Sequence, residues 1–125
     1  MLKCEGYVLF VRHTYRDPDH WEFAGGRRKK GETPLETIIR EIWEELKVKL
    51  DAGSVIDHGE LLLPGRRLFL FEATVPNRKV TRESREIAHT KWFPERRPPA
   101  RIGPGAREAL RRARPARSRK RPKKT

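Results

Sequence analysis

Apolar positions along this chain follow a helical period in one stretch and a strand-like pattern in several others. Leu35, Ile38, Ile39, Ile42 and Leu46 fall at i, i+3, i+4, i+7 and i+11, a single stripe along one helix. Three signals mark where that helix starts. Thr33 suits the N-cap, Pro34 suits the first helical position, and Glu36 completes a T-x-x-E capping box. Glu41, Glu44 and Glu45 stand at i, i+3 and i+4, so their carboxylates converge on one flank of the stripe.

The remaining pattern predicts strands. Residues 6–12 (GYVLFVR) are β-branched and aromatic with two apolar faces, the mark of a central strand. A polar loop over residues 13–20, broken by Asp17-Pro18, follows it. Residues 51–57 predict a loop leading into a hairpin, with Leu61 to Leu63 and residues 67–75 on either side of a Pro64-Gly65 turn. Residues 76–85 read as a basic loop and 87–93 as a short strand ending at Pro94. Residues 106–113 predict a closing helix with Ala109 and Leu110 inward, and from Arg114 onward no apolar period remains, so a disordered tail is expected.

Charge sharpens that division. The net charge is +13, yet residues 96–125 hold 13 Lys or Arg against one acid, Glu108, a net of +12. The rest of the chain is close to neutral, so any affinity for nucleic acid is expected of the tail. At 125 residues, 35% hydrophobic and 38% charged, one modest core over residues 1–113 and a basic tail over 114–125 are expected. No apolar run reaches the ~20 residues of a membrane span, and no secretory leader pattern opens the chain. The single cysteine, Cys4, offers no internal disulfide, which points to a reducing cytoplasm.

The acidic flank of the helix has two readings. A solvated amphipathic helix carries such runs; alternatively, the mutual repulsion of clustered carboxylates is relieved by a divalent cation. Spacing separates them. From Gly26, five residues lead to Glu32 and seven more to Arg40-Glu41, then Ile42-Trp43-Glu44-Glu45-Leu46-Lys47-Val48. This resembles the Nudix box, G-x5-E-x7-R-E-U-x-E-E-x-G-U, with Lys47 in the place of the last glycine. Trp21-Glu22-Phe23-Ala24-Gly25-Gly26 is similar to the family's W-x-x-P-G-G lead-in, with Ala24 for proline.

The resemblance implies a Nudix-like α/β/α sandwich with a mixed sheet. The family strand that precedes the equivalent of residues 6–12 has only five residues available here, so that first strand is expected to be missing or supplied otherwise. It also implies a Mg²⁺- or Mn²⁺-dependent hydrolase that cleaves the pyrophosphate bond of a nucleoside diphosphate linked to another moiety. Glu41, Glu44, Glu45 and the backbone at Gly26 are then the metal ligands, with Glu41, Glu44, Arg40 and Glu86 the catalytic set. Glu86 is included because Ser84-Arg85-Glu86-Ile87 before Trp92 resembles the family's S-x-E-I…W pattern. Arg12, Trp21, Phe23, Arg27 and Glu32 are candidate substrate contacts, joined by His13, Tyr15 and Arg16 of the neighbouring loop.

Each of these assignments has a plainer counterpart. Trp21, Phe23, Trp92 and Phe93 more often fill a core than stack on a base, and Arg27, Arg28, Lys29 and Lys30 read equally as a solvated loop. Arg40 suits either orienting carboxylates, which is the favoured reading, or meeting phosphate. Lys47 at a left-handed position costs about 1 kcal/mol if the family backbone is kept. Pro64 lies at a spacing similar to ADP-ribose-cleaving members, though a Pro-Gly turn explains it as well. The competing function is a catalytically weak module that binds RNA or DNA non-specifically through the tail. A nucleotide-type substrate, no membrane and a monomer or homodimer complete the expectation.

Overall fold

The computed structural model of the chain describes residues 1–14, 19–82 and 85–114. The expectations for Tyr15, Arg16 and the tail beyond Arg114 lie outside these residues. Strands β1 (Leu2–Cys4), β2 (Tyr7–His13), β3 (Ile56–Leu63), β4 (Arg66–Thr74) and β5 (Ile87–Pro94) form one mixed sheet in the order β3-β4-β1-β2-β5. Helix α1 (Pro34–Leu46) lies between β2 and β3 in the chain, and helix α2 (Pro104–Ala113) follows β5.

The expectation of a missing first strand is overturned. β1 sits near the centre of the sheet, antiparallel to β2 through Lys3↔Val8 and parallel to β4 through Lys3↔Thr74. It fits into so few residues because Glu5 and Gly6 both adopt positive φ, 48° and 83°, a two-residue turn whose twist matches a hairpin. Glycine takes that conformation at no steric cost and Glu5 bears the strain.

Alternation along β2 separates two cores. Leu9 and Val11 face one side with Leu2, Cys4 and Ala73, and the α1 stripe (Ile38, Ile39, Ile42, Leu46) covers them. Val8 and Phe10 face the other side with Met1, Trp21 and Ile102, beneath Ala106 and Leu110 of α2. This is an α/β/α sandwich. Ile42 and Leu46 are fully buried, and each such side chain contributes roughly 2 kcal/mol relative to exposure. The hairpin of β3 and β4 turns at Pro64-Gly65, where φ of Gly65 is 79°, as a Pro-Gly turn requires. Among the described residues no helix is long and apolar enough to cross a membrane.

Candidate active site at the start and flank of helix α1

The capping box forms as the residues dictate. The Thr33 hydroxyl accepts from the Glu36 amide at 3.1 Å, and Glu36 Oε1 accepts from the Thr33 amide at 2.9 Å. The stripe then fixes the helix rotation, which leaves Glu41 and Glu45 at the sheet-side edge and Arg40 and Glu44 further out.

Arg40 joins this flank to the preceding loop. Its Nε and Nη2 donate to the two oxygens of Glu32 at 2.6 and 3.1 Å, a bidentate pair. Nη1 donates to Glu41 Oε2 and Glu44 Oε1, both at 3.0 Å, and Nη2 also reaches the Arg27 carbonyl at 3.1 Å. Every N–H on the fork that the structure pairs goes to a carboxylate or the loop backbone, the geometry of an orienting residue. Glu32 also accepts from the Lys29 amide (2.9 Å) and the Thr37 hydroxyl (3.0 Å). Its pKa falls to about 2, mainly through the hydrogen bonds from Arg40.

Gly26 and Glu41 meet closely. A Cβ on Gly26 would lie 2.3 Å from the Glu41 carboxyl carbon, so that carboxylate occupies the space a side chain would need. Glu45, only 2% exposed, accepts from the Gly25 amide at 3.3 Å. Burial raises its pKa to about 8, the nearby charges of Glu41 and Glu86 push the same way, and the Gly25 amide opposes them. Glu86 itself is exposed beside the start of β5, where its carbonyl accepts from the Thr14 amide at 2.8 Å. The structure therefore brings Glu41, Glu45, Glu86 and the Gly25-Gly26 backbone to one place.

Glu44 stands differently: its half-exposed carboxylate is held by Arg40. Among the described residues no three carboxylate, imidazole or thiol groups close into a ready-made cage. The donor set still fits a hard divalent cation. It is all oxygen, and a buried Glu45 beside two further carboxylates is an arrangement that a proton or a cation must compensate.

The candidate substrate contacts divide. Arg27 is exposed beside the carboxylates. Trp21 is a core residue, edge-on to Phe93 with ring centroids 5.2 Å apart, and Phe23 is partly buried against Phe10. Both pack on the α2 face, and the Arg12 guanidinium covers the Trp21 ring at 4.3 Å. The structure does not bring these three side chains into the carboxylate cluster on the α1 face.

Lys47 keeps the left-handed backbone of the glycine it replaces, with φ 56° and ψ 39°. Its ammonium lies 4.9 Å from the Trp43 ring, a contact worth ~0.5–1 kcal/mol that offsets part of the strain. One supporting residue escaped the sequence reading, and one candidate contact, His13, has a partner the sequence did not announce. Thr37, buried under Glu32, stands at the position one turn beyond Thr33, a spacing that would have exposed it. His13 Nδ1 approaches Glu22 Oε1 at 3.2 Å, and no local sequence signal announces that pair.

Fold and box together define a NUDIX domain. The chain belongs to the NUDIX family, whose NUDIX domain model matches residues 1–113. It is 31% identical over 94 residues to the CTP pyrophosphohydrolase of Escherichia coli, covering 74% of this chain and 70% of that protein. It is 30% identical over 96 residues to the RNA pyrophosphohydrolase of Xanthomonas oryzae, covering 74% of this chain and 42% of that protein. The chain spans between 35% and 70% of the length of the first curated relatives it matches. The crystal structure of a MutT NUDIX hydrolase from Burkholderia pseudomallei superposes with a TM-score of 0.73 at 18% identity. That superposition covers 90% of this chain and 97% of that one.

Proposed function

We propose that this chain hydrolyses the pyrophosphate bond of a nucleoside diphosphate joined to another moiety, with Mg²⁺ or Mn²⁺ as its cofactor. The carrying observation is the burial of Glu45 beside Glu41 and Glu86 at the Gly25-Gly26 backbone, a cluster of carboxylates on the acidic flank of α1. In this reading Glu41, Glu44, Glu45 and the Gly26 carbonyl hold the cation. When bound, it supplies charge neutralisation for the phosphate chain and activation of water.

The chain's own groups do the rest. Arg40 fixes Glu41 and Glu44 relative to the loop, so the carboxylates are ordered before substrate arrives. Glu86 or Glu41 takes the proton of the attacking water, and the exposure of Glu86 allows it to exchange that proton with solvent. Gly26, having no side chain, lets the Glu41 carboxylate lie flat on the main chain. The relative named a CTP pyrophosphohydrolase supports a substrate of the nucleoside triphosphate type.

The test is product release from a panel of nucleotides with Mg²⁺, comparing the native chain with Glu45→Gln. Loss of about 100-fold or more in kcat is expected, the size seen when a group stabilising transition-state charge is removed. Equal rates in the two proteins would sink the assignment.

A further inference from the structure

Strand β5 changes register where it starts, beside the carboxylates. Arg12 faces His89 across the ladder but His13 faces Ile87, so Ala88 is an extra residue with no opposite number in β2. This is a β-bulge, and the two cores show what it does. Trp92, paired with Leu9, packs on the α1 side of the sheet. Strict alternation back from Trp92 would put Ala88 on that side and turn Ile87 away from it. Ile87 is instead fully buried in the α1-side core. The bulge therefore decides how the chain enters β5, and Glu86 is the residue immediately before that entry.

A bulge disrupts the ladder, and here other groups take up the backbone. Arg82 Nη1 donates to the carbonyls of Ile87 and Ala88 at 2.9 and 2.7 Å. Just upstream, the Thr14 amide donates to the Glu86 carbonyl at 2.8 Å, and the Thr14 hydroxyl to the Arg85 carbonyl at 3.2 Å. Arg82 is itself tied to helix α1, because the amide of its neighbour Thr81 donates to the Leu46 carbonyl at 2.9 Å. Leu46 directly follows Glu45, so Arg82 connects the end of the carboxylate-bearing helix to the bulge next to Glu86. We propose that Arg82 is a positioning residue for the hydrolysis: it holds the Ala88 bulge and thereby sets Glu86 against Glu45. That role rests on the reading under Proposed function, in which Glu86 is one of two groups able to take the proton of the attacking water. The plainer role for Arg82 is to fasten the start of a strand at the sheet edge, and that role carries a cost in stability with no selective cost in rate.

A double-mutant cycle on the full chain separates the two roles, with hydrolysis of the best nucleotide substrate measured in Mg²⁺. Glu86→Gln is expected to lower kcat about 100-fold. Arg82→Met should lower kcat about 30-fold, a loss that a small misplacement of a reacting group produces, and leave KM within about twofold. Arg82→Lys, which can still donate to a carbonyl, should recover about a third of the native kcat. The double variant Arg82→Met/Glu86→Gln should lose no more than about threefold beyond Glu86→Gln alone, because Arg82 acts through Glu86. Arg78→Met, which removes an exposed cation of the same loop, should keep kcat within about threefold of native. Hydrogen exchange reads the clamp without turnover: the Thr14 amide should exchange about tenfold faster in Arg82→Met than in the native chain. Multiplicative losses in the double variant, an equal loss from Arg78→Met, or an unmoved Thr14 amide each overturn the clamp and leave Glu86 its role. Equal rates in the native chain and Glu86→Gln remove Glu86 from the chemistry, and the positioning role of Arg82 with it. If the native chain hydrolyses no nucleotide while the Thr14 amide still responds to Arg82→Met, the catalytic reading fails and the hold of Arg82 on the bulge stands.

Discussion

Each face of the sheet carries one helix, and on each helix one arginine reaches to a neighbouring segment. On α1, Arg40 grips the Glu32 carboxylate and the Arg27 carbonyl while touching Glu41 and Glu44. On α2, Arg112 pairs with Glu108 at 2.7 Å and donates to the carbonyls of His58 and Glu60 at 2.8 and 2.9 Å. α1 starts with a complete capping box, whereas Gly103 gives α2 no side-chain cap. The helix with strong local signals uses its arginine to order carboxylates. The helix without them uses its arginine to fasten itself to the edge strand, where Gly59 (φ 86°) interrupts the ladder. One clamp serves chemistry and the other serves docking.

Truncation separates the two. Arg40→Ala frees Glu32, Glu41 and Glu44 together, and kcat/KM on the best nucleotide substrate should fall about 100-fold, ~2.7 kcal/mol of transition-state stabilisation. Arg112→Ala, on the opposite face, should leave kcat/KM within about threefold. A comparable loss of activity in both variants would erase the distinction.

The two faces should also differ in how they answer pH. Glu45 has a folded-state pKa near 8 against 4.5 for the free side chain, so the folded chain holds that proton more tightly than the unfolded one. Stability without a divalent cation therefore falls as pH rises from 4.5 through 8, and the full loss is present above 8. A bound cation favours the ionised carboxylate and cancels the loss. Thermal melts should show Mg²⁺ raising Tm more at pH 8 than at pH 5, and Glu45→Gln should flatten both trends. A Mg²⁺ effect that is the same size at both pH values, or that survives in Glu45→Gln, would remove Glu45 from the cation site.

How much of this was visible beforehand follows from the range of the interactions. The cap, stripe and carboxylate spacing of α1 lie within a few residues of one another, so the sequence announces them. β1 was hidden because three residues fall below any periodic window and Glu5-Gly6 is an uncommon pair for a tight hairpin. The burial of Glu45 was hidden as well. A glutamate on a helix flank reads as solvated until Gly25, Glu41 and Glu86 close around it, and Glu86 is 41 positions away by the numbering. Arg112 bonds carbonyls 52 and 54 residues upstream, which no local pattern encodes. Trp21 and Phe23 had two readings, core and stacking platform, and the alternation of β2 decided that Trp21 joins the α2-side core.

The smallest effect expected is the stability cost of Arg112→Ala. Removing this side chain takes a charged donor from the carbonyls of His58 and Glu60, but the site is only partly buried and water can replace it there. Glu108 is not stranded, because Arg111 still pairs with it at 2.6 and 3.0 Å. The loss should therefore be about 1 kcal/mol, a Tm lower by about 5 °C in a domain of this size, read by a thermal or urea melt. Packing supplies the competing explanation for how α2 stays in place, since Ala106 and Ala109 are buried and a Cβ on Gly105 would meet Leu68 at 2.9 Å. If Arg112→Ala melts with the native chain while Gly105→Ala falls well below it, close packing of small residues fastens the helix and the arginine is incidental. The parallel between the two clamps would then reduce to Arg40 alone.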